Sequence, residues 1–172
     1  MTATTELELK SFVLLRLGEL RYAVVADATI ELVHLSRVFR FPHKTPEIEG
    51  VILRRGRVVP VCDVAEVLLG KRTAARRYYL IATRRYGSQT EWVALPVARE
   101  CELINAEQTA LTAASESDEP HVAGWLSHEG EIIEVLNLGA LTPGPDELPP
   151  QRRATQQLQT QPAGQDEPEV RP

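Results

Sequence analysis

The sequence predicts an all-β protein in which one small barrel is made twice, and three observations carry that expectation. Residues 50–67 (GVILRRGRVVPVCDVAEV) and 124–141 (GWLSHEGEIIEVLNLGAL) align without a gap. Gly50 falls on Gly124, Gly56 on Gly130, Val58-Val59 on Ile132-Ile133, Val61 on Val135, and Asp63 on Asn137. A fainter echo precedes each copy, Ile30-Glu31-Leu32-Val33 against Cys101-Glu102-Leu103-Ile104. The repeat spacing, roughly 70 residues, is too long for a solenoid and suits a compact barrel. Gly, Pro and β-branched residues punctuate the chain about every 8–12 positions, as in barrels and sandwiches. Two copies imply two sub-domains with a seam between them, and the seam is where function is to be sought.

The elements follow in order. Residues 11–17 (SFVLLRL) read as a strand, turned by Gly18-Glu19 into 20–25 (LRYAVV), which makes a hairpin. Residues 30–41 carry β-branched and aromatic residues interleaved with polar ones and read as one strand stopping at Pro42. Pro42 and Pro46 bracket a loop. Residues 50–53 and 57–62 are two strands joined across Arg54-Arg55-Gly56, with Gly56 and Gly130 as tight-turn glycines. A short helix follows: Asp63 caps it, Glu66 completes a capping box, Gly70 ends it, and Val64, Val67 and Leu68 share its apolar face. Residues 77–86 and 90–97 form another hairpin across Gly87-Ser88. Asn137 is the matching cap of the second copy, with one helical turn after it at most. Residues 113–119 read as a polar, flexible loop.

Composition bounds the function. At 172 residues, with 43% hydrophobic and 25% charged side chains, the chain has enough material for one folded core. Residues 1–10 read as a flexible N-terminus that is not a signal peptide, 11–141 as the folded domain, and 142–172 as a disordered Pro/Gln-rich tail that cannot bury enough surface to offset its ordering entropy. No apolar run approaches the ~18 residues of a membrane span, so direct insertion is not expected and the expected location is cytoplasmic. Cys62 and Cys101 are expected as reduced, buried thiols rather than a disulfide. The net charge of −5 argues against nucleic acid as a partner. Lys71, Arg72, Arg76 and Arg77 are expected in a solvated loop.

Chemistry-bearing motifs are absent. His34, His43, His121 and His128 have no metal-ligand spacing, so no metal, cofactor or catalytic residue is expected. Cys62 beside Asp63 belongs to a valine-rich strand, and the aspartate is used as a cap. Binding features are better represented. Glu31 in its apolar stretch is either a solvent-facing strand residue or part of a recognition face. Arg54, Arg55 and Arg57 around the Gly56 turn are either a solvated hairpin tip or a charged prong that meets a carboxylate on a partner.

The segment GVILRRGRVVPVCDVAEVLLG, residues 50–70, resembles the signature of CheW-like domains, and the resemblance extends from Phe12 to Leu141. It includes Tyr22 in the opening hairpin, Thr29-Ile30-Glu31-Leu32, the proline loop and the Gly124 copy. It implies two packed five-stranded SH3-like β-barrels and no enzymatic activity. It also implies a scaffold role in chemotaxis signal transduction. Such a protein couples the cytoplasmic helical tip of a chemoreceptor to the regulatory domain of a CheA-type histidine kinase, at membrane-associated arrays. By position, the resemblance puts Thr29 and Glu31 at coupling positions, Gly50 at the start of the central strand, and Arg55-Gly56 on the family's Arg-Gly pair. Protein-binding residues are therefore expected at Thr29, Glu31, Gly50, Arg54, Arg55, Gly56 and Arg57. Leu53-Arg54 departs from the family's Asn-Leu, Thr29 from its valine, and Ala94 and Ala98 from its glycine and aspartate. These departures bear on partner identity. The altered Leu53-Arg54 keeps in view an adaptor or array filler that binds receptors without activating kinase, and the basic residues at 54–57 and between Lys71 and Arg85 a small-barrel nucleic-acid binder.

Overall fold

The structure, a computed structural model, describes residues 9–42, 47–107 and 110–142. The strands are β1 (Leu9–Leu17), β2 (Leu20–Val25), β3 (Thr29–His34), β4 (Ile48–Arg54), β5 (Arg57–Cys62), β6 (Tyr78–Tyr86), β7 (Gln89–Val97), β8 (Glu102–Glu107), β9 (Leu111–Ala113), β10 (Val122–His128) and β11 (Glu131–Leu136). Two short helices, α1 (Val64–Leu69) and α2 (Leu138–Leu141), follow β5 and β11. Part of the expected 142–172 tail is thus in the fold, since Thr142 is buried and donates its hydroxyl to Leu138 O. The other tail residues, most of the expected flexible N-terminus, and His43 to Pro46 of the proline loop lie outside the described residues.

The strands form two sheets, ordered β3-β6-β7-β5-β4 and β8-β1-β2-β11-β10-β9. The first is an inner unit from the middle of the chain. The second is an outer unit assembled from both ends, because β1–β2 pairs with strands more than 75 residues later. The repeat is a structural equivalence. In the inner unit Val61 pairs in parallel with Ala94, and in the outer unit Val135 pairs in parallel with Ala23. A register shift precedes Gly50 in one and Gly124 in the other. There the chain passes so close to a neighbouring carbonyl that a Cβ would sit 2.6 Å from Phe39 O or 2.7 Å from Thr112 O. Both sharp turns have positive φ at both central residues, Arg55-Gly56 and Glu129-Gly130, as the twist of a two-residue hairpin requires. Even the outermost strand is matched: β9 against β10 corresponds to an isolated bridge between Phe39 and Val51.

Three apolar clusters hold these sheets together. Phe12, Leu14, Ala23, Leu126, Ile133 and Val135 fill the outer unit, and Ile52, Val59, Val61, Tyr79, Ile81 and Ala94 the inner one. The third cluster is the seam, built from Val13, Leu15, Leu17, Tyr22 and Val24 against Leu80, Ala82, Val93, Leu95 and Val97, with both helices contributing. Successive residues of β1, β2, β6 and β7 therefore face opposite cores. This explains their unbroken apolar runs, since a strand buried on both faces shows no alternation.

Three expectations are corrected. Residues 30–41 are not one strand: β3 ends at His34, and the chain continues irregularly to the bridge at Phe39. Helix α1 does not bury Val67, which is 43% exposed; Val64 and Ala65 go under, with Leu68 and Leu69 packed on the seam. Its capping box is half made, because Asp63 caps Ala65 N while the Glu66 carboxylate takes Arg72 Nε.

Candidate functional site

Strand β3 borders the inner unit, and a bulge between Thr29 and Glu31 sets Glu31 opposite Ile81, a residue of the inner core. On β4, Arg54 follows buried Ile52 by two positions and so shares its face. Both charged side chains thus meet at one end of the inner barrel. Arg54 donates from Nε to Glu31 Oε1 at 2.8 Å and from Nη2 to Oε2 at 2.7 Å, a bidentate fork. Arg55 Nη2 adds a third bond to Oε2 at 3.1 Å. The fork from Arg54 holds the Glu31 carboxyl below the ordinary carboxylate value, with Arg55 adding to the shift.

Exposure separates the three: Glu31 is 16% exposed along its side chain, Arg54 38% and Arg55 61%. Glu31 is thus neither a free surface acid nor a buried one; it anchors a platform that presents Arg55. Arg54, which stands where the resembled family has an uncharged residue, is taken up internally. On the other side of the turn, Arg57 lies over the Trp92 ring, 4.5 Å from its centre.

The remaining expected site residues do other things. Thr29 Oγ1 donates to Ala26 O and closes the short 3-10 turn before β3. Gly50, with φ of 155° and no room for a Cβ, serves backbone approach. Gly56 faces open space at φ of 71°, so its need is the turn alone. The structure therefore brings Glu31, Arg54 and Arg55 together, sets Arg57 beside them on Trp92, and gives Thr29, Gly50 and Gly56 backbone roles.

Sequence reasoning missed a second network. Asp63, 1% exposed, accepts from Ala65 N, Thr73 N, Thr73 Oγ1 and Arg76 Nη2. Arg76 also forks onto Glu49. Arg76 is therefore no solvated-loop residue; its guanidinium ties the loop after α1 to β4, and these carboxylates raise its pKa. The signal available was Glu49 and Asp63 flanking an apolar strand pair.

Exposed apolar residues occur along the outer unit. Ile132 on β11 and Leu20 on β2, each two positions before the paired Glu134 and Tyr22, are 68% and 52% exposed, and Leu103 on the edge strand β8 is 68% exposed.

Burial pushes the Cys62 thiol up to about 12 and the Cys101 thiol to about 11, which removes the thiolate at neutral pH. Both cysteines are free. Among the described residues no group of three His, Cys, Asp or Glu side chains could hold a metal ion, and no helix is long and apolar enough to cross a membrane.

Comparison with known proteins gives two positive findings. The sequence profile of the CheW-like domain matches residues 11–143. The solved structure described as the scaffolding protein TtCheW from Thermoanaerobacter tengcongensis is similar at a TM-score of 0.67 and 23% identity, over 82% of this chain and 98% of that one. At that identity the likeness is one of fold. No curated protein sequence matches the chain.

Proposed function

The chain belongs to the CheW-like domain family, and on that premise we propose that it is a non-enzymatic coupling scaffold. It links the helical tip of a chemoreceptor to the regulatory domain of a CheA-type kinase on the cytoplasmic side of the membrane. The observation that carries this reading is the Glu31–Arg54–Arg55 platform at the end of the inner barrel. A guanidinium held by one carboxylate oxygen keeps its other donors directed outward and loses little rotamer freedom on meeting a partner carboxylate. Arg55 is such a group, on a rigid two-residue turn. The exposed apolar pair Leu20 and Ile132 and the edge residue Leu103 add surface suited to a helix or a second barrel. Coupling by binding means that a shift in the receptor changes the orientation or mobility of the docked kinase.

The test is a calorimetric titration of the full chain against the regulatory domain of the CheA-type kinase of the same organism. A saturable one-to-one isotherm, roughly micromolar, that is lost in Arg55→Glu supports the reading. No heat and no co-elution would overturn it and leave an adaptor that engages receptors only.

A further inference from the structure

Superposing the two units through their parallel pairs places Arg84 on Leu17 and Glu91 on Leu20. Leu17 is fully buried in the seam, and the Arg84 side chain is equally inaccessible. One unit thus places a hydrocarbon, and the other a guanidinium, at the same point of the packed interface. Arg84 donates from Nη2 to Glu91 Oε2 at 3.1 Å. Its Nε and Nη1 are buried without a hydrogen-bond partner among the described residues. The nearest aromatic face, that of Tyr86, lies 6.0 Å from the guanidinium carbon, at the limit of useful attraction. Buried donors of a charged group left unpaired are among the least favourable contacts a core can hold.

The element packed on this strand is also short and has no side-chain N-cap. Helix α2 has four residues, and its N-cap side chain, Asn137, makes no capping bond and turns instead to Pro120 O. Gly139 lies on β6 so closely that a Cβ would sit 2.8 Å from Arg85 O, and Leu138 and Leu141 enter the same seam that holds Arg84. An unfavourable buried charge and a poorly capped cover therefore coincide at one end of the seam.

We propose that α2 and the adjoining turn end of β6–β7 form a releasable flap. In a local opening α2 lifts off β6, and the Arg84 donors gain water. Glu91, already 27% exposed, draws the guanidinium outward. The two units then shift against each other at this end while the rest of the seam stays closed. This inference rests on packing alone and stands whether or not the coupling function does.

Native-state hydrogen exchange on the full chain tests it. In the wild type, the Ala140 and Thr142 amides, bonded to Asn137 O and Leu138 O, are expected to exchange through a sub-global opening. The β1–β2 amides are expected to exchange only on global unfolding. Arg84→Leu, which installs the counterpart residue, is expected to slow Ala140 and Thr142 exchange at least ~10-fold and raise Tm by ~3 °C or more; Arg84→Met is the less branched second variant. Uniform protection of α2 and β1–β2 in the wild type would overturn the proposal, independently of any variant. So would a lower Tm, unchanged α2 exchange, or failure to fold in both variants.

Discussion

The inner and outer units share a strand order, a bulge, a glycine approach and a parallel pair, yet they are held together by different chemistry. At the start of α1 the inner unit spends a carboxylate, Asp63, on four donors that fix the helix, the loop after it and β4. At the same place the outer unit has Asn137, which makes no side-chain cap. The matching turns differ in sign, Arg55-Gly56 against Glu129-Gly130, and so do the pairs behind them. Glu31 gathers two arginines in the inner unit, whereas Arg21 bridges to Glu129 and Glu131 in the outer. The backbone repeat is maintained by what a strand pair needs, while charge has diverged with position. Recognition by this protein is therefore expected to be one-sided.

The largest effect that would break this comparison lies at the helix starts. Asp63→Ala leaves Arg76 partly uncompensated and removes the cap, and is expected to cost about 3–5 kcal/mol in urea unfolding. Asn137→Ala is expected to cost less than ~1 kcal/mol. Equal losses would show that the two helices are anchored alike.

Next come the two glycines. Gly50→Ala meets both a backbone carbonyl and an unfavourable φ, Gly124→Ala only a carbonyl. We expect about 3 kcal/mol or more for the first and about 1–3 kcal/mol for the second, read from denaturation midpoints.

The turns sharpen the functional side. Arg55→Glu is expected to weaken kinase-domain binding at least ~10-fold with Tm unchanged, while Glu129→Arg on the matching turn leaves the affinity as it was. A loss in both would mean that the two barrel ends are used together.

The smallest effect concerns pH. Because the arginine fork depresses the Glu31 carboxyl in the folded state, its contribution is fully present above the ordinary carboxylate value near 4.5. It is lost only as pH falls through the lower, folded value. A carbon-detected titration should place the Glu31 midpoint below the ordinary carboxylate value, and in Arg54→Ala it should move up.

Much of this was legible in the chain, for identifiable reasons. Hairpin registers follow from Gly18-Glu19 and Gly87-Ser88, because a two-residue turn fixes every pair behind it, including Arg84 with Glu91. Glu31 and Arg54 were both singled out, but their fork was not, because it depends on a bulge that no local pattern signals. Arg76 was placed in a solvated loop on the charge of its neighbours, and its fate was set by Glu49 on another strand. Val67 was assigned to a buried face by helical spacing alone; the seam turned α1 so that Val64 and Ala65 went under instead.

By itself the sequence determined the β architecture, the turns and the short helices, since each depends on residues within about a hairpin's length of one another, and the doubling, because two such local patterns match residue by residue. Only the tertiary structure decided that the outer barrel closes by joining the two ends of the chain, and that β1, β2, β6 and β7 are sandwiched between two cores. It also decided which arginines are buried or half-buried, as Arg84 and Arg76 are, and which stay exposed, as Arg55 and Arg72 do. Whether a guanidinium is buried, forked or free depends on carboxylates brought near it from distant strands, and those distances exist only once the two units have packed.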